Sequence, residues 1–250
     1  YILFLLGFPA LLGGAHLLVR GSGSVALKLG MSELAVGLTI VAFGTSAPEL
    51  IIAVMSALRG SPDLAVANVV GSNTANLLLI LGVAAVIRPL AMHRTLRWRE
   101  IPFVLLSVLV LAVVANDRLL GGGASAVLSR GDGLVLLGYF SIYMYYVFSV
   151  ARKKDEAVVE SVETAALPLA VLMIVGGAAG LAAGGQWIVN GARAIARSAG
   201  MSEAMVGLTV ISIATSLPEL ATSAVAARKG NTDLAVGNVV GSNVLNVLWI

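Results

Sequence analysis

The sequence predicts an all-α polytopic membrane protein built on an inverted-topology repeat, and three observations predict it. First, the 250-residue chain is 58% hydrophobic and 12% charged, with a mean hydropathy of +0.97. Second, several apolar runs reach the roughly 20 residues that cross a bilayer as helix. They are too long and too uniformly apolar for the alternating strands of a barrel, so helices must satisfy the backbone in lipid. Third, residues 31–80 recur at 201–250 with no gap, and 27 of the 50 aligned positions are identical.

Eight spans follow in order. The first is about 1–20. It lacks a basic leader and a small-residue cleavage site, so it reads as a spanning helix and not a signal peptide. The second is 34–58 and the third 64–87. The fourth is 101–115, the fifth 133–151, the sixth 166–192 and the seventh 204–227. The eighth starts near 234 and is cut at Ile250. The charged segment Arg152 to Glu163 divides the chain. The expected organisation is a first transmembrane half at 1–151, a short cytoplasmic linker at 152–165 and a second half at 166–250. Segments around Gly14–Gly30 and Gly184–Gly200 are also alike, so spans 1 and 6 are equivalent. Spans 4 and 5 then have no partner, and two more helices are expected after residue 250.

Loop charges set the orientation. Of 16 basic residues, 11 lie in the loops after spans 1, 3, 5 and 7 and 5 lie in the opposite set. The richer side is the cytoplasmic one, which puts the N-terminus outside. These loop charges and the pI of about 9.4 therefore report topology and do not point to nucleic acid. No obligate protein partner is evident. There is no cysteine, so no disulfide and no thiolate metal site. Spans 2 and 7 are separated by an odd number of crossings, so the two copies run in opposite directions, as in many secondary transporters.

Each copy carries one carboxylate inside its apolar run, in Gly44-Thr45-Ser46-Ala47-Pro48-Glu49 and Ala214-Thr215-Ser216-Leu217-Pro218-Glu219. Proline removes an N–H and clashes with the preceding turn, which frees carbonyls. Thr45 and Ser46 lie four and three positions before Glu49, so all three are expected on one helix face. An unpaired charge at a helix centre costs about 2.5–3.5 kcal/mol on insertion scales. No Lys or Arg lies mid-span to offset it, so a bound cation or a proton must. Ca²⁺ takes six to eight oxygens, which glutamates, hydroxyls and freed carbonyls supply. The absence of Cys and of mid-span His pairs argues against Zn²⁺ or Cu⁺. A second motif, Gly71-Ser72-Asn73-Thr74-Ala75-Asn76, is mirrored by Gly241-Ser242-Asn243-Val244-Leu245-Asn246. Ser72 with Asn76, and Ser242 with Asn246, are four apart and share a face. Gly71 and Gly241 are expected to admit a neighbouring helix closely.

Single Ser, Thr or Asn residues in spanning helices are more often interhelical glue than ligands, and Asn68, Asn238, Asn73 and Asn243 are read that way. His16 is read as interfacial, His93 as a loop residue, and Asp63 and Asp233 as helix N-caps.

GTSAPEL with GSNTANLL, and ATSLPEL with GSNVLNVL, resemble the paired repeats of the cation/Ca²⁺ antiporter superfamily, in the compact form of the prokaryotic Na⁺/Ca²⁺ exchangers. The resemblance covers the whole chain. It implies ten helices in two inverted halves of five, about eight of them in this chain. It implies that Glu49 and Glu219 bind Ca²⁺ and share in binding Na⁺. Thr45, Ser46, Thr215 and Ser216 would take hydroxyl or backbone roles, and Ser72, Asn76 and Ser242 side-chain roles. The carbonyls of Ala42 and Ser212 would contribute, and spans 1 and 6 would slide as a unit. Many family members carry Asp where this chain has Asn246, so the site here holds two formal negative charges and not three. The large cytoplasmic regulatory domain of animal exchangers has no counterpart in the short linker.

The expected function is therefore a secondary antiporter of the prokaryotic inner membrane, exchanging Ca²⁺ for Na⁺ with no cofactor. Three alternatives stand beside it. A Ca²⁺/H⁺ antiporter would put protons on the two Glu, and K⁺ is a further candidate co-ion. A cation channel suits inverted repeats less well. An intramembrane hydrolase lacks HExxH, GxSxG or a dyad spacing.

Overall fold

The computed structural model describes residues 2–58, 60, 62–90, 94–116, 128–151, 165–200 and 215–250. Every element among them is helical. In chain order they are α1 (Ile2–Leu29), α2 (Glu33–Thr45), α3 (Ala47–Leu58), α4 (62–87), α5 (96–114), α6 (Arg130–Ala151), α7 (Leu167–Ser198), α8 (Leu217–Lys229) and α9 (Thr232–Leu248). By length and composition, α1, the 65–87 stretch of α4 and α7 can each cross a bilayer, and α2 with α3 makes a fourth, bent span. Segment 201–214, which opens the expected seventh span, lies outside the described residues, as does His93.

Helix limits differ from expectation in several places, among them the sixth span, which runs on to Ser198. Span 1 runs on to Leu29, because its Gly- and Ser-rich second half packs against α7 and continues the helix. His16 therefore sits mid-helix, and its Nδ1 donates to the Leu12 carbonyl at 2.9 Å. Asp233 is not a cap: the capping position is Asn231, and Asp233 falls in the first turn, where a carboxylate meets the positive end of the helix dipole. Asp63 likewise lies inside α4, which begins at Pro62.

The duplication is visible in the backbone. Among the described residues four glycines adopt positive φ, at 64° for Gly30, 81° for Gly200, 71° for Gly60 and 92° for Gly230. They form two pairs at the 170-residue offset, each in the left-handed conformation that ends a helix without a Cβ clash. Direction is fixed by close approaches of α1 to α7. A Cβ at Gly7 would meet Gly184 O at 2.8 Å, one at Gly14 would meet Gly177 O at 2.7 Å, and one at Gly21 would meet Ala170 O at 2.7 Å. The numbers rise on α1 as they fall on α7, so these equivalent helices are antiparallel and the repeat is inverted. Helix α2, by contrast, runs parallel to α9: a Cβ at Gly237 would meet Leu34 O at 2.6 Å, and one at Gly241 would meet Leu38 O at 2.7 Å. Gly241 thus behaves as expected. Gly71 does not, since its open side has nothing within 4 Å.

Helix α9 is the axis of the molecule. Every residue from Leu234 to Leu248 is buried. A helix covered on all sides tolerates polar residues only where partners meet them, and α9 carries Asn238, Ser242, Asn243 and Asn246. One apolar cluster, including Leu18, Leu181, Val225 and Leu234, joins α1, α7, α8 and the start of α9. A second, including Leu38, Val104, Tyr143 and Leu245, joins α2, α5, α6 and the rest of α9. On that side Glu100 is fully buried and accepts the Tyr146 hydroxyl at 2.7 Å.

Candidate functional site

The two halves meet where their helices break. Ser46 separates α2 from α3 with φ −83° and ψ 5°, and Ser216 precedes α8 with φ −85° and ψ 4°. The bend between α2 and α3 is 48°. Pro48 and Pro218 then stand at the second position of α3 and α8, where no intrahelical N–H bond is due in any case. Glu49 and Glu219 follow in the first turn of each. Both carboxylates are 1% exposed, and each sits at the positive end of its own helix dipole, which offsets part of the cost of a buried negative charge.

Glu219 is reached from both halves. Ser46 Oγ donates to its Oε1 at 3.1 Å, and Ser242 Oγ lies 3.5 Å from the same atom. Around Glu49 stand the hydroxyls of Ser72 and Thr215, and the two glutamates are near enough to repel each other. The hydroxyls are themselves arranged by the repeat: Ser72 Oγ is 3.5 Å from Thr215 Oγ1, and the equivalent pair Ser242 and Thr45 is also 3.5 Å apart. Thr45, Ser46 and Glu49, expected on one face, are all buried, while Ala47 and Ile51 are exposed. The break at Ser46 turns the hydroxyls of Thr45 and Ser46 across the interface, to Asn238 Oδ1 at 3.0 Å and to Glu219. Each carboxylate is lined by hydroxyls of the opposite repeat as well as its own.

The remaining expected residues are also placed. Asn76 and Asn246 are each 1% exposed. The Ala42 carbonyl already accepts from Ser46 N at 2.9 Å and Thr45 Oγ1 at 3.3 Å. Ser212 lies outside the described residues. Asn238 holds the site together: its Nδ2 donates to Ser223 Oγ at 3.0 Å and to the Glu219 carbonyl at 3.4 Å, while its Oδ1 accepts from Thr45. Sequence reasoning passed over Ser223, which has Ala53 at the equivalent position and so carries no repeat signal.

Buried oxygens lacking a protein partner mark what the site can do. Both carboxylate oxygens of Glu49, Oε2 of Glu219, Oγ of Ser216 and the amide oxygens of Asn76 and Asn246 have no hydrogen-bond donor among the described residues. A polar atom withdrawn from water without a partner is costly. Most of the unsatisfied atoms around the two glutamates are acceptors or hydroxyls, with the amide nitrogens of Asn68 and Asn243 the donors left over, and no grouping of three or more His, Cys, Asp or Glu occurs among the described residues. An oxygen-rich, sulfur- and imidazole-free set of this kind suits hard cations.

The family model for the sodium/calcium exchanger protein matches residues 1–149 and 169–250. The chain belongs to the sodium/calcium exchanger family. It is 38% identical to the putative antiporter CaxA of Alkalimonas amylolytica, over 100% of this chain and 78% of that protein. It is 35% identical to the inner membrane protein YrbG of Escherichia coli K12, over 99% and 77%, and 29% identical to the sodium/calcium exchanger MaX1 of Methanosarcina acetivorans, over 100% and 81%. Among solved structures it is similar to the sodium-calcium exchanger NCX_Mj soaked with 10 mM Na⁺ and 10 mM Sr²⁺, with a TM-score of 0.84 and 28% identity, covering 98% of this chain and 77% of that one. As a member of this exchanger family the chain is an integral membrane transporter, and its all-helical architecture is that of NCX_Mj.

Proposed function

We propose that this exchanger moves Ca²⁺ against Na⁺ by alternating access, with both ions binding at the junction of the two repeats. The observation that carries the reading is the convergence of Glu49 and Glu219, each buried at a helix break, on a set of oxygens of which several lack donors among the described residues. Ca²⁺ would be held by the two carboxylates with amide and hydroxyl oxygens from Asn76, Asn246, Ser72 and Ser242. Na⁺ would use overlapping oxygens that include the hydroxyls of Thr45, Ser46, Thr215 and Ser216, with the Ala42 and Ser212 carbonyls at the edge.

Coupling needs no distant relay. One set of oxygens cannot serve Ca²⁺ and the full complement of Na⁺ together, and empty carboxylates this deep oppose movement through lipid. The moving part would be the α1–α7 pair. Backbone-to-backbone contacts along a seam of glycines leave these helices little freedom to shift against each other, and favour their sliding as one body over the site helices. The halves at 1–151 and 166–250 would then be the two repeat units, with 152–165 as the cytoplasmic linker and the N-terminus outside, in a prokaryotic plasma membrane. Any net charge carried per cycle would couple transport to the membrane potential at about 2.3 kcal/mol per charge per 100 mV.

A second reading, exchange of Ca²⁺ for H⁺, is favoured by one observation: neither oxygen of Glu49 has a donor within hydrogen-bond geometry among the described residues, so each state without Ca²⁺ could be completed by a proton. The deciding experiment is ⁴⁵Ca²⁺ uptake into proteoliposomes with Na⁺, K⁺ and pH gradients imposed one at a time. Uptake driven by outward Na⁺ at clamped pH is the expected result. Uptake driven by a pH gradient alone, and indifferent to Na⁺, would replace this reading with the second.

A further inference from the structure

Four asparagines lie between α4 and α9, and their hydrogen bonds repeat at the 170-residue offset. Asn76 Nδ2 donates to Asn243 Oδ1 at 2.9 Å. The equivalent atoms on the other side do the same, with Asn246 Nδ2 donating to Asn73 Oδ1 at 3.0 Å. Asn73 Nδ2 in turn donates to the Asn243 backbone carbonyl at 3.2 Å, which anchors the frame across the interface. An amide has a donor end and an acceptor end, and a residue that occupies the donor end dictates where the acceptor end points. In Asn76 and Asn246 the occupied end is the NH₂ group. Their Oδ1 atoms are buried and have no protein donor among the described residues.

We propose that Asn73 and Asn243 are positioning residues of the ion site: by accepting from Asn246 and Asn76 they lock both amides with oxygen, not nitrogen, turned to the cation. The inference rests on the ion-binding reading above and deepens it. Without these acceptors each amide could rotate by half a turn and present NH₂, a donor, to a cation. The same geometry bears on charge. A carboxylate at position 246 would set an oxygen against Asn73 Oδ1 at about the 3 Å now spanned by the donated bond, with no hydrogen between them, and two acceptors at that separation repel. The site is thus built to hold its negative charge on Glu49 and Glu219 alone, with the amides supplying neutral oxygens. A fully dehydrated Ca²⁺ would be matched in charge by the protein.

A double-mutant cycle tests the assignment in the full chain, reconstituted in proteoliposomes and read by ⁴⁵Ca²⁺ uptake. Asn73→Leu removes the acceptor and should raise the KM for Ca²⁺ by roughly 10–100-fold, the usual cost of losing a residue that orients a metal ligand. The maximal rate per inserted protein should stay within about twofold, since the carboxylates are untouched. Asn246→Leu removes the oriented amide itself. In that background Asn73→Leu should add nothing, because its effect passes through Asn246. The mirrored cycle, Asn243→Leu with Asn76→Leu, gives the same answer independently if the first set inserts poorly.

Additive costs in both cycles, or a loss of maximal rate with KM unchanged, would overturn the positioning role. The two levels of the argument fail separately. If Glu49→Gln and Glu219→Gln leave Ca²⁺ uptake intact, the site assignment itself is wrong. If they abolish uptake while the asparagine costs simply add, only the orienting role is lost.

Discussion

The Ser46 hydroxyl donates to the Glu219 carboxylate at 3.1 Å, across 173 positions of sequence. The hydroxyl belongs to the break in the first repeat and the carboxylate to the break in the second. One hydrogen bond therefore joins the two halves at the place where the ion is proposed to bind. It also means that a change in either half is felt by the other half's carboxylate.

Glu49→Gln and Glu219→Gln should each abolish Ca²⁺ uptake while leaving the protein inserted. Glutamine keeps the shape and removes the charge that a dehydrated cation requires. Size-exclusion profiles in detergent establish insertion and folding, and ⁴⁵Ca²⁺ flux reads activity. Near-normal exchange by either variant would refute its role as a ligand.

Ser46→Ala should raise the KM for Ca²⁺ by about tenfold. A hydrogen bond to a charged group contributes about 1.5–3 kcal/mol, and part of that is regained if the cation takes the vacated place. Initial-rate measurements over a range of Ca²⁺ concentrations check this. An unchanged KM would show that the Ser46 contact does not shape the loaded site.

Asn238→Leu should destabilise the protein by about 1–3 kcal/mol, because it strips partners from the buried Thr45 and Ser223 hydroxyls. Asn68→Leu, at the equivalent position of the first repeat, should be milder, since Asn68 Nδ2 already lacks a partner among the described residues. Thermal unfolding in detergent ranks the two. Equal losses would contradict the asymmetry.

Gly14→Val should lower the melting temperature and slow transport, whereas Gly13→Ala should do neither. A Cβ at Gly14 would stand 2.7 Å from both Gly177 O and Leu181 N, and one at Gly13 meets nothing within 4 Å. Overpacking of this kind costs about 1–3 kcal/mol. Tolerance of valine at position 14 would show that α1 and α7 are not held as tightly as these contacts imply.

Much of this arrangement is legible along the chain. An acid one residue after a proline, twice, at a fixed offset and inside apolar runs, marks both helix breaks and both carboxylates before any folding is considered. Helical periodicity groups Thr45 and Ser46 with Glu49, and all three are buried together. It cannot show that the two hydroxyls reach Asn238 and Glu219 of the other repeat, because those partners lie on a separate helix that only docking brings near. Asn73 and Asn243 read as interhelical glue and do bond between α4 and α9; nothing in a single motif shows which end of a neighbouring amide they meet.

By itself the order of residues determined the helical class, the duplication, its inverted sense and the two buried acids, because each follows from local hydropathy, loop charge or proline chemistry. Tertiary structure alone decided which hydroxyls serve which carboxylate, and which amide ends are occupied. The pairings between the repeats join atoms 143 to 197 positions apart, and they exist only once antiparallel repeats dock, at a depth set by glycines that let backbones touch.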